Sequence, residues 1–141
     1  MDKRVIANEV LLEEAASLMA EGRQVSFTPL GSSMLPFIRG GRDSVTLCKK
    51  ESVEVGDIAL IRLPGPRYVL HRVIAVTPEQ VTLMGDGNLV GTECCPPEEV
   101  LGTVTAIQRG KREVRPGNGK WWRAIPRFFR RYILAIYRRI I

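Results

Sequence analysis

No stretch of this chain approaches the roughly 20 uninterrupted apolar residues that a membrane-spanning helix requires. The first 14 residues alternate charged and apolar side chains, which does not read as a secretory leader either. The sequence thus predicts a protein made and kept in the cytoplasm. Cysteine is scarce: Cys48, Cys94 and Cys95 are odd in number and two of them are adjacent, which excludes a disulfide framework. With one histidine and no CxxC or HxH spacing, the sequence offers no zinc site and no motif for a metal, nucleotide or organic cofactor. Acidic residues are missing from the entire segment after Glu113.

That last absence organises the charge. The net charge is +6, yet eight basic residues lie from Arg115 onward. The remainder holds 13 basic against 15 acidic residues, a balance of −2. A body of that charge argues against nucleic acid as a partner, and the basic tail calls for an electrostatic partner of its own. With 141 residues, 45% hydrophobic and 26% charged, the chain suits one globular domain with a real core.

Residues Asn8 to Glu21 predict an amphipathic helix, with Leu11, Leu12, Ala15, Leu18 and Met19 at three- and four-residue intervals. Asn8 suits the N-cap and Gly22 the stop. Such a helix packs on the rest of the domain. Short β-like runs follow at 24–28, 44–48, 57–62, 67–76, 80–84 and 100–108. Between them stand turn signals such as Pro64-Gly65-Pro66, Gly85-Asp86-Gly87-Asn88 and Cys95-Pro96-Pro97. The pattern predicts a mainly β fold with flanking helices, its strands antiparallel and partly barrel-like. Residues 109–120 read as a polar hairpin or linker. The expected division is a domain over 1–115 and a basic, aromatic, amphipathic tail over 116–141.

Three segments carry groups suited to chemistry. In Pro29-Leu30-Gly31-Ser32-Ser33-Met34-Leu35-Pro36, Gly31 permits a tight turn, while Met34 and Pro36 would hold two hydroxyls exposed but fixed. The same residues also suit an ordinary turn. The lone histidine, His71, shares a strand face with Val69 and Val73, where a neutral imidazole can accept a proton or simply fill the core. Asp86 can orient His71 through its second ring nitrogen, or cap its own turn. Asp57, in Val55-Gly56-Asp57-Ile58, has the same two readings and less reason to be catalytic.

In order, Gly31-Ser32-Ser33-Met34-Leu35-Pro36, Val55-Gly56-Asp57-Ile58, His71-Arg72-Val73-Ile74, Gly85-Asp86-Gly87-Asn88 and Gly102-Thr103-Val104 resemble the clan of type I signal peptidases and self-cleaving SOS-response repressors. The resemblance spans Phe27 to about Ile107. It implies a signal-peptidase-like antiparallel β domain and a serine peptidase that cleaves a leader, signal or precursor peptide. The serine directly before the methionine is the family's nucleophile, which carries over to Ser33. Where the bacterial housekeeping branch has a lysine base before an arginine, this chain has His71 before Arg72, similar to the histidine-using branch. The family's Gly-Asp motif brings Asp86 to the site. A second acid that some members use is here absent or shifted to Glu93. The oxyanion and substrate contacts fall to Ser32, Met34 and the Ser33 backbone N–H. The sequence predicts two departures from the clan, with no stretch suited to its membrane-spanning anchor and a single N-terminal helix that is too little for a DNA-binding domain.

The tail supports three expectations. Trp122, Ile125, Phe129, Tyr132, Ile133, Ile136, Tyr137 and Ile140 return at helical spacing, with arginines over much of the remainder, and Pro126 suits the first turn. The helix can lie in the plane of an anionic membrane, which would hold the protein peripherally on its inner face. It can pack its apolar face on the β domain, or fill a groove on a partner protein. The other partner expected is a peptide or protein, bound as substrate or, on a non-catalytic module, as an added strand.

Overall fold

The structure, a computed structural model, describes residues 9–140. Asn8, the expected N-cap, lies outside them. Helix α1 (Glu9–Ala20) is followed by strands β1 (Val25–Phe27), β2 (Ser44–Cys48), β3 (Ile58–Leu63), β4 (Arg67–Val76), β5 (Val81–Met84), β6 (Glu93–Cys95), β7 (Val100–Arg109) and β8 (Arg112–Val114). Helices α2 (Lys120–Arg123) and α3 (Arg127–Ile140) close the chain. All the pairings are antiparallel, in the order β1-β2-β7-β3-β4-β5-β6 with β8 added to β7. The result is a curled, mainly β sheet with a few flanking helices. Register shifts leave one extra residue in β7 opposite β2 and another opposite β3, and one in β4 opposite β5, and such bulges bend a strand, as curling requires.

Each face of the sheet carries its own core. Ala15 and Met19 of α1 join Phe27, Met34, Ile38, Leu47, Leu60 and Ile107 in one. Gly102 admits the helix there, because a Cβ would collide with the Met19 sulfur. The other core gathers Ala59, Ile61, Val73, Val81, Leu83 and Cys95. Strand β4 serves both, because successive side chains alternate: Tyr68 and Leu70 face the first core, Val69 and Val73 the second.

The pairing of β4 sets the surroundings of His71. This strand pairs with β3 over Arg67 to Arg72 and with β5 only over Arg72 to Val76. Among the described residues, no strand pairs with 67–71 on the side away from β3. Arg72 is opposite Met84, so the turn after β5 emerges beside His71 and Arg72.

The tail rests on a third cluster, in which Trp122 and Leu134 meet Leu35, with Ile125, Tyr137, Phe37 and Leu89 around them. Helix α3 begins directly after Pro126, as its sequence implies. Among the described residues, no helix is long and apolar enough to cross a membrane.

Candidate active site

Ser33 sits in the turn after β1. Gly31 enters it with a φ of +91°, a conformation glycine adopts without strain. Leu35 N–H bonds to Ser32 O at 3.3 Å and Phe37 N–H to Met34 O at 2.9 Å, bonds that do not engage the Ser33 N–H. Met34 and Leu35 are buried and anchor the turn, whereas Ser32 is exposed. The Met34 sulfur also accepts the Asp86 N–H at 3.4 Å. The Ser33 hydroxyl is left at the surface of a cleft of about 280 Å3, which Met34, Ile38, Tyr68 and Leu70 also line.

Across the cleft, Ser33 Oγ lies 2.9 Å from His71 Nε2, and His71 Nδ1 lies 2.5 Å from Glu93 Oε1. An ionised carboxylate can only accept, so the Nδ1–H donates to Glu93 and the Nε2 lone pair receives the Ser33 O–H. The alignment comes from the sheet. His71 and Val73 share a face of β4, Val73 is opposite Leu83, and Leu83 is opposite Glu93. Paired residues point to the same side, so Glu93 faces the way His71 does, two strands away. The imidazole is buried and Glu93 partly so, which shields the chain of bonds without closing it.

Asp86 does not meet His71. Its carboxylate takes Arg72 Nη2 at 2.7 Å and Nε at 3.2 Å. The physical reason is alternation: Arg72 points through the sheet face opposite His71, and the turn after β5 delivers Asp86 to that side. Arg72 is fully buried, donates to Gly56 O and Gly117 O at 2.9 Å each, and lies 4.9 Å from the Phe37 ring centre. Burial pushes the Asp86 carboxyl above the usual carboxylate range, and the Arg72 hydrogen bonds pull against it. The third group at His71 is therefore Glu93, and Asp86 is the counter-ion of Arg72.

The Gly85–Asn88 turn nevertheless shapes the site. Gly87 N–H donates to Ser33 O at 2.7 Å. A Cβ on Gly85 would collide with Ser33 O and stand 3.0 Å from His71 Nε2, so only glycine allows this approach. The tail fastens the same turn from behind: Trp122 Nε1 donates to Asp86 O at 2.7 Å, and Arg138 to Gly87 O at 3.0 Å. Asp57 lies elsewhere, bonded to Lys50 Nζ at 2.8 Å and to Glu54 N–H at 2.9 Å. No group of three or more metal-ligating side chains occurs among the described residues. The chain matches no family model and no curated protein.

Proposed function

We propose that the protein is a serine endopeptidase of the signal-peptidase type, acting on a leader, signal or precursor peptide through an acyl-enzyme. The observation that carries this reading is the aligned chain Ser33 Oγ, His71 Nε2, His71 Nδ1, Glu93 Oε1, with its two spacings of 2.9 and 2.5 Å. A nucleophile, a base in hydrogen-bond reach and an acid that orients the base are the parts acyl transfer needs. On this reading Glu93, not Asp86, is the third member of the site.

In the first step Ser33 Oγ attacks the scissile carbonyl as its proton passes to His71 Nε2. The Ser33 N–H, outside the turn's own bonding, holds the oxyanion, with Ser32 at the rim. The C–N bond then breaks and His71 returns the proton to the leaving amine. Water, deprotonated by the same nitrogen, releases the acyl group and restores Ser33. Glu93 stabilises the imidazolium formed in each half. The edge of β4 over 67–71 lines the cleft and, among the described residues, has no strand on that side, so it suits an extended peptide whose backbone adds to the sheet.

The same edge would serve a non-catalytic peptide-binding module, and one substitution separates the two. New peptide N-termini are compared in cells carrying wild type, Ser33→Ala or His71→Ala. On the peptidase reading, a set of termini present with wild type disappears with both variants. Identical termini at equal expression would leave peptide binding as the function of the fold.

A further inference from the structure

Helix α3 is turned the opposite way from a helix that completes a domain. Its contact side holds one buried apolar residue, Leu134, with Arg130 and Tyr137 half-buried and Arg138 reaching Gly87 O. At about 100° per residue, Phe128, Phe129, Tyr132, Ile133, Ile136 and Ile140 all fall in one arc of about 140° facing away from Leu134. The six are exposed, Ile136 at 61% against 1% for Leu134. Trp121, also exposed, belongs to the same tail. The apolar stripe therefore faces outward, and the hydrophobic effect leaves it in search of a cover.

The charges around it say what the cover is. Around the helix axis Arg131 lies between the stripe and the contact side and Arg139 falls within the stripe's own arc, whereas Arg127, Arg130 and Arg138 project on the Leu134 side, and no acidic residue follows Glu113. Among the described residues no basic residue of the tail forms an ion pair. A second copy of the chain would bring a like-charged tail against this one, at an electrostatic cost. An anionic bilayer supplies both missing partners: acyl chains for the aromatic and aliphatic stripe, phosphates for Arg131 and Arg139 beside and within it. The helix is about 21 Å long, too short to span and suited to lying in the interface.

We infer that α3 is a membrane-surface helix, which docks its outward face in anionic lipid while its inner face holds the protein. Arg138 of α3 bonds to Gly87 O, and Trp122 of the preceding α2 bonds to Asp86 O, so the docked helix is fixed to the turn beside Ser33. The cleft is thereby held at the bilayer surface, where a peptide emerging from or lying on the membrane would meet it. The lipid contact does not rest on the peptidase reading, and Ser33→Ala should bind vesicles as wild type does.

The test is flotation of the full chain with vesicles of phosphatidylcholine alone or mixed with phosphatidylglycerol. Wild type should float with the anionic vesicles only, and raised salt should release part of it. The pair Phe129→Ser and Ile136→Ser, both on the outward face, should lower the partition coefficient by at least about tenfold at unchanged far-UV circular dichroism. The inference fails if folded wild type stays unbound in both gradients, or if the outward pair binds as well as wild type. It also fails if wild type ignores lipid and forms a dimer that the same pair dissolves, which would give the face to a second copy.

Discussion

His71 and Arg72 are consecutive residues of β4, and each meets a carboxylate, but the two pairs differ in everything else. The His71–Glu93 pair opens on a cleft, and its ring has a second partner in Ser33 across 38 residues of sequence. The Arg72–Asp86 pair is sealed: neither side chain exceeds 1% exposure, and the guanidinium is further held by Gly56 O and Gly117 O. One pair keeps a nitrogen lone pair aimed at a hydroxyl, a role that needs room for a reacting molecule. In the other every guanidinium nitrogen is engaged inside the protein, and the pair joins β4, the Gly85–Asn88 turn and the chain leading into α2. Alternation along a single strand thus separates a reactive pair from a structural one.

The largest effect expected from breaking this contrast comes from Glu93→Gln. The amide can still accept from His71 Nδ1–H, so the fold and the thermal midpoint should change little. The imidazolium formed during acyl transfer loses its counter-charge, and turnover should fall by about 10²–10⁴-fold. Kinetics on a substrate recovered from the N-terminus comparison would measure it. A variant as active as wild type would remove Glu93 from the mechanism.

Arg72→Met should show the converse. It strands Asp86 as a buried, unpaired carboxylate and removes the bonds to Gly56 and Gly117. The expected loss is about 3–5 kcal/mol of unfolding free energy, measured by urea denaturation. Adding Asp86→Leu should recover a substantial part of it, because the desolvated charge goes with the residue. If the double variant is no more stable than the single one, the cost lies in packing rather than in the unpaired charge.

Much of this was legible in the sequence, unevenly and for identifiable reasons. The strands at 44–48 and 67–76 coincide with the alternating runs that predict them, because each is long or regular enough to show its period. Ser33 and His71 stand out only through the five ordered motifs of the family resemblance, because taken singly a Gly-Ser-Ser segment also suits an ordinary turn and a lone strand histidine also suits the core. Glu93 was harder to place, since β6 is three residues long between Gly91 and Pro96 and reads as part of a turn. Asp86 drew the role of third member because proximity of a motif says nothing about which sheet face its carboxylate reaches. The tail's helical period was plain as well. Which side of it faces the domain was not, because Trp122, Ile125 and Tyr137 turn inward while Phe129, Tyr132, Ile133, Ile136 and Ile140 of the same apolar set turn out.

Strand β6 repeats the contrast of β4 on a smaller scale, which gives a test of register with little effect on function. Cys94 is exposed, and Cys95 is buried beside Val81 and Leu83. Burial pushes the Cys95 thiol up to about 11, so at pH 8 roughly one in a thousand carries the reactive thiolate. In the folded protein at that pH, iodoacetamide should modify Cys94 readily and spare Cys95, as read by peptide mapping. Protection should fall as the pH rises toward 11, because the thiolate then forms, and in urea at pH 8, because the burial is lost. Cys95 and Glu93 share one face of β6, so whatever holds the thiol inward holds the carboxylate toward His71. A slip of one residue would exchange the faces, bringing Cys94 in and turning Glu93 away. Equal labelling of both cysteines in the native state would therefore mean that β6 does not hold this register, and Glu93 would lose its place at the imidazole.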